Sequence, residues 1–211
     1  MDPVHDPAHP ELEVLGGREQ DGVVAVSEDE ALKLDTSSTP AFLGLTDPNG
    51  LWNQLGGPVG SKKGPGAGEG IVIGMVDSGI WPESKSFTDR DATGKLVYQQ
   101  LPGFHGKCDS AETVTDGSWD ANLCNKKLIA AQHFNSGWGG DAGVAAELPW
   151  EFLSPRDYSG HGTHTASTAG GNHGVQATGA AAPFGQISGM APRARIAAYK
   201  VCWETLDPLV G

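Results

Sequence analysis

Residues 71–76, IVIGMV, followed at once by Asp77, Ser78 and Gly79, decide how this chain is read. The run is continuously apolar and rich in β-branched side chains, without the polar alternation of a strand that has one wet face. That pattern predicts a strand buried on both faces of a parallel sheet. Its carboxyl end delivers Asp77 into a turn through Gly79, and the carboxyl edge of an open α/β sheet is where binding and catalytic groups collect. An Asp there can hold an imidazole in one tautomer and stabilise the imidazolium formed during proton transfer. Taken alone, the same Asp-Ser-Gly is also what a turn cap looks like.

Downstream, residues 161–169, HGTHTASTA, predict a helix whose small side chains allow close packing, with Gly170 and Gly171 as its stop. Gly160 and Gly162 flank His161 and permit backbone conformations that a Cβ hinders. This suits a histidine set at a helix start and open to a cleft, where a general base has to reach its substrate proton. Residues 194–203, ARIAAYKVCW, predict a second buried strand. Strand, helix and strand in that order open a doubly wound α/β sheet.

The remaining segments read as connections. Residues 81–156 are irregular, with Trp119, Trp138 and Trp150 set among Gly, Asp and Asn, and predict an elaborate surface insertion without a long regular element. Residues 56–70, GGPVGSKKGPGAGEG, predict an exposed loop, 51–55 a short helix, and 35–45, DTSSTPAFLGL, an extended linker into a new domain. The N-terminal part offers a strand at 22–26, GVVAV, then an acidic turn and a short apolar segment at 31–34, too little to fold alone.

With 211 residues, 38% hydrophobic and 19% charged, one medium domain is expected, and 31 Gly with 14 Pro make it rich in loops. The formal net charge of -12 argues against nucleic acid and against an anionic membrane as partner, since phosphate recognition needs clustered Lys and Arg. No window approaches the roughly 18 apolar residues of a membrane helix. The start, MDPVHDPAHPE, has neither the basic nor the apolar region of an export signal, so none is expected in this chain. Cys108 and Cys124 share one segment and could close a short loop, with Cys202 left over; three separate reduced thiols is the alternative. His164 stands three residues beyond His161 on the same helix face, which also matches metal-ligand spacing. A metal hydrolase using His161 and His164 is therefore a second reading, weakened by the lack of HExxH or of a third ligand at a companion spacing.

The motifs VDSGI, PESKSF, SGHGTHTAST and SGMAPRARIAAYKVCW, in that order, resemble the subtilisin-like serine proteases, most closely the branch typified by plant subtilases and their bacterial relatives. The resemblance runs from about Gly22 to Trp203. It implies the N-terminal part of a subtilisin-like doubly wound parallel sheet over 36–211, with a disulfide-bearing insertion at about 82–155. Residues 1–35 are implied to be the remnant of an α+β inhibitory propeptide, with maturation near Asp35 or Thr36. Asp77 is implied to orient the histidine and His161 to act as general base, in the Asp-then-His order of that family. His161 follows Asp77 by 84 positions, a long gap that the insertion fills. Cys108 and Cys124 are implied to be the insertion's disulfide pair. The implied partners are a protein or peptide substrate and the chain's own propeptide, and the implied location is secreted. No cofactor or resident metal is implied, and calcium stays open because acidic loops are common.

No GTSMA-like segment, where the family keeps its serine, occurs in these residues. Ser188 in ISGMAP echoes it superficially but matches the family's structural GMAPRA segment, and Ser78 and Ser159 flank the two catalytic motifs unsuitably. The expectation is thus an N-terminal piece of a serine endopeptidase, inactive by itself. A non-catalytic binding or regulatory fragment is the other alternative.

Overall fold

The computed structural model describes residues 37–61 and 64–205. The chain divides into two units between Asp35 and Thr36, and every described residue lies in the second. The strand expected at 22–26, the apolar segment at 31–34 and the propeptide remnant at 1–35 lie outside the described residues.

Three six-residue strands, β1 (Val72–Asp77), β2 (Leu128–His133) and β5 (Arg195–Lys200), form one parallel sheet in the order β1-β5-β2. Between β2 and β5 lie β3 (Val175–Gln176) and β4 (Gln186–Ile187), a separate antiparallel pair. The helices are α1 (Thr39–Phe42), α2 (Leu51–Gln54), α3 (Gly140–Glu147) and α4 (His161–Gly170). β5 is central and buried almost throughout, as its small and branched residues Ile196, Ala197 and Ala198 require. Its register sets Asp77 opposite Lys200 on one side and His133 opposite Lys200 on the other. The carboxyl edge of the sheet is thereby a row of ionisable residues.

Small residues let α4 approach the sheet. A methyl group on Gly170 would stand 2.9 Å from Cδ1 of Ile196 and 3.2 Å from Cδ1 of Ile73. Under this helix lies the main core, in which Ala166, Ile196, Ile80, Phe87 and Leu128 are wholly buried. Each large apolar side chain there stabilises the fold by about 1.5–3 kcal/mol. A second cluster joins Val144 of α3 and Leu148, just after it, to Trp203.

Four expectations are corrected. β1 is not buried on both faces: Ile73 and Met75 pack against the core, whereas Val76, on the opposite face, is 66% exposed. Residues 81–156 are not merely a surface insertion. They supply β2, α3 and the buried Phe87, Val114, Trp119 and Leu128; LIAAQH has neither strict alternation nor a run of β-branched residues to mark it as a strand. The stretch at 35–45 is not wholly extended, since Pro40 presets the first turn of α1. The described residues of the 56–70 loop have no helix or strand but are not simply exposed. Ala67 is buried, its carbonyl accepts from the Arg193 amide, and Glu69 pairs with both Arg193 and Arg195. The helices expected at 51–55 and 161–169 occur as α2 and α4. α4 stops at Gly171 in extended rather than left-handed backbone.

A disulfide joins Cys108 to Cys124, 16 residues apart, and Cys108 bridges to Ala131 of β2. Cys202 is a free, exposed thiol. Lys200, fully buried, donates to Glu151 Oε2 at 2.6 Å, to the Arg156 carbonyl at 2.8 Å and to the Phe152 carbonyl at 3.3 Å. It ties the segment ahead of α4 to the sheet. Burial works to lower the Lys200 pKa, and the Glu151 carboxylate offsets this only in part.

Leu128→Ala is expected to lower stability in denaturant unfolding by about 2–5 kcal/mol, whereas Val76→Thr, on the exposed face of β1, changes it by less than about 0.5 kcal/mol. Equal losses would contradict the placement of β2 in the core. Glu151→Gln leaves a buried ammonium without its counter-charge and is expected to lower stability by about 3–5 kcal/mol; a loss under about 1 kcal/mol would show that the pair does not anchor the segment.

Candidate active site

Asp77 ends β1 and His161 begins α4, and the close fit between these two element ends makes the site. Gly79 has φ +125°, a backbone that L side chains rarely adopt, and a Cβ on Gly162 would be driven into the Gly79 carbonyl. Glycine at both positions lets the turn after β1 lie directly against the helix start. Ile80 donates its amide to the Pro155 carbonyl at 2.9 Å and accepts from the Asp157 amide at 3.2 Å, so the turn runs alongside the segment that leads into α4.

Ser78 and Asp157 lock that arrangement. The Ser78 hydroxyl donates to Asp157 Oδ1 at 2.9 Å and accepts from the Gly162 amide at 2.8 Å. The buried Asp157 carboxylate also accepts from the Gly160 amide at 2.9 Å, the Thr163 amide at 2.8 Å and the Thr163 hydroxyl at 2.5 Å. It satisfies the orphan amides of the first turn as a cap does, from the position four residues before His161. Thr163 reaches back too, its hydroxyl accepting from the Trp81 amide at 3.0 Å.

Within this frame Asp77 Oδ1 stands 2.7 Å from His161 Nδ1 and accepts from the Ser78 amide at 2.7 Å. Thr165, one turn further along α4, donates to Asp77 Oδ2 at 3.1 Å. The Asp77 side chain is 15% exposed and that of His161 68%. Nε2 of His161 has no protein partner among the described residues, so one ring nitrogen is held while the other faces solvent. Burial works to raise the Asp77 pKa, but hydrogen bonds from His161, the Ser78 amide and Thr165 outweigh it and hold the carboxyl below its ordinary range. The hydrogen bond to Asp77, with its charge, lifts His161 above the ordinary imidazole range. An imidazole held this way can take a proton at Nε2 and carry the resulting charge against Asp77.

The other sequence candidates lie apart from this pair. His164 is exposed on the next part of α4, and among the described residues no group of three or more His, Cys, Asp or Glu is placed to hold a metal ion. Ser188 engages His173, with 3.2 Å between Oγ and Nδ1, and donates to the Gly189 carbonyl at 3.1 Å. Ser78 is committed to Asp157 and Gly162, and the Ser159 hydroxyl to the His161 amide at 3.2 Å and to Ser78 at 3.4 Å. No serine among the described residues hydrogen-bonds the ring of His161. Reasoning from the sequence missed Asp157, Thr163 and Thr165, although an Asp four residues before His161 with Thr at two and four residues after it carried the cap in plain view.

The Subtilase family model matches residues 68–207, which contain β1, α4 and β5 whole. Subtilisin-like protease SBT1.6 of Arabidopsis thaliana is 39% identical over 188 residues, 89% of this chain, and subtilisin-like protease SBT2.5 of the same plant is 40% identical over 194 residues, 92% of this chain. This chain therefore belongs to the subtilase family. It spans 22% of the length of either relative.

The two pKa shifts fix a pH window. The raised His161 pKa contributes stability that is fully present below its ordinary 6.5 and is lost as pH rises through its folded value. The lowered Asp77 pKa contributes stability present above 3.8 and lost as pH falls through its folded value. Both contributions are in force between those limits. Imidazole NMR is expected to place the His161 midpoint above 6.5 and to show it falling in Asp77→Asn; an unmoved midpoint in that variant would contradict the coupling.

Proposed function

We propose that this chain supplies the general base and its orienting carboxylate to a serine endopeptidase of the subtilisin class. The observation that carries the reading is the Asp77 to His161 contact of 2.7 Å with the opposite ring nitrogen open. In that role His161 Nε2 takes the proton from a serine hydroxyl as its oxygen attacks the peptide carbonyl, and returns it to the departing amine when the bond to carbon breaks. Asp77 keeps Nδ1 as the donor and stabilises the imidazolium between the two transfers. The printed names of the plant relatives, subtilisin-like proteases, support a protein or peptide substrate.

The nucleophile is not among these 211 residues, which contain no GTSMA-like segment. Together with the commitments of Ser78, Ser159 and Ser188, this supports a chain that is catalytically silent by itself. The family resemblance and the unit boundary at Asp35 and Thr36 support an inhibitory propeptide remnant before that point and processing near it. The disulfide between Cys108 and Cys124 suits an oxidising, secreted setting. The net charge of -12 supports a molecule without nucleic-acid or membrane partners.

The 211-residue chain is expected to be unreactive toward a fluorophosphonate and toward casein. When it is joined to a polypeptide that supplies the GTSMA-like serine, both reactions are expected to appear, and Asp77→Asn to lower kcat by roughly 10^4-fold. Labelling of the chain alone, or full activity of an Asp77→Asn enzyme, would sink the proposal.

A further inference from the structure

Among the described residues, every polar contact of the Asp77 carboxylate comes from its own turn or from α4. Oδ1 serves the Ser78 amide and His161 Nδ1, while Oδ2 has one donor among the described residues, the hydroxyl of Thr165. A carboxylate with one oxygen tied can still swing about its Cβ–Cγ bond, which carries the other oxygen off the imidazole; a donor on Oδ2 removes that freedom.

Thr165 has a blander use available. Its hydroxyl also lies 3.1 Å from the Gly162 carbonyl, the ordinary back-bond of a threonine inside a helix. One hydroxyl has one proton, so the two acceptors compete. Gly162 O already receives the Ala166 amide in the helical ladder of α4, and an ionised carboxylate accepts more strongly than an amide carbonyl. The competition therefore favours Asp77. Four residues after His161 on one helix, Thr165 also stands directly below the ring it serves, so a single rigid element carries the base and the group that steadies its partner.

We propose that Thr165 is a positioning residue of this site: its hydroxyl fixes Oδ2 of Asp77 and so keeps Oδ1 aimed at His161 Nδ1. The inference rests on reading Asp77 and His161 as a coupled acid–base pair, and the experiment separates the two. The 211-residue chain, labelled with 15N-histidine, is titrated in four forms: unaltered, Asp77→Asn, Thr165→Val and Thr165→Ser. The acid-side ionisation of Asp77 is read through the shifts of the His161 ring. Thr165→Val is expected to move that ionisation upward, because the carboxylate loses a donor, and to broaden the Nδ1 proton signal. Thr165→Ser, which keeps the hydroxyl, is expected to restore both. A purely structural threonine predicts that Val and Ser titrate like the unaltered chain, and that result overturns the proposal. If Asp77→Asn leaves His161 unmoved, the pair itself fails, whatever Thr165 does. Thr165→Ala, which favours the helix, carries the same expectation as Val and serves where the branched side chain is not accommodated.

Discussion

The parallel pairing of β5 between β1 and β2 is the constraint on which the rest of this structure depends. Its register brings Asp77, Lys200 and His133 to the ends of adjacent strands at one carboxyl edge. Each then recruits a complementary group from a different segment. Asp77 takes His161 from α4, Lys200 takes Glu151 from the stretch before it, and His133 meets Asp109, next to the disulfide, at 2.6 Å. A largely buried ionisable group is costly without a partner, so three separate segments meet the same edge under the same electrostatic demand. The site is one member of that row, distinguished by having its outer nitrogen exposed.

The division of labour along the row is physical. Lys200 and Glu151 are both buried, with side chains 0% and 1% exposed, and their pairing holds chain in place. His161 is the opposite case, its side chain 68% exposed with one ring nitrogen open to solvent. Its position is therefore fixed indirectly, through Ser78, Asp157 and Thr163 acting on the backbone of the first turn, and through Asp77 acting on one ring nitrogen. The buried polar lattice below the helix start is the rigid part, and the exposed ring is what it presents. This is how a loop-rich chain with 31 glycines holds two side chains at hydrogen-bond distance across 84 residues.

Much of this was legible in the sequence because period and punctuation agree locally. IVIGMV before Asp77, the glycine-flanked HGTHTASTAGG, and ARIAAYK each announce their element, and the family resemblance rests on those same residues. What stayed hidden depends on partners remote in sequence. LIAAQH becomes a sheet strand only because β5 accepts it, and Val76 is exposed because alternation turns it to the face that the core does not cover. Pro40 read as a breaker where it in fact starts a turn, since the same fixed φ serves both. Asp157 caps α4 through contacts local in sequence, but Thr165 is an ordinary polar residue until β1 is laid against α4; only then does it reach Asp77.

The central claim is that Asp77 dictates which nitrogen of His161 carries the proton. The most direct measurement is the tautomer of that ring, read from 15N shifts and proton couplings above its titration midpoint. The proton is expected on Nδ1, strongly deshielded, with Nε2 bare and ready to accept. A neutral ring protonated at Nε2, or one exchanging freely between the two forms, would contradict it.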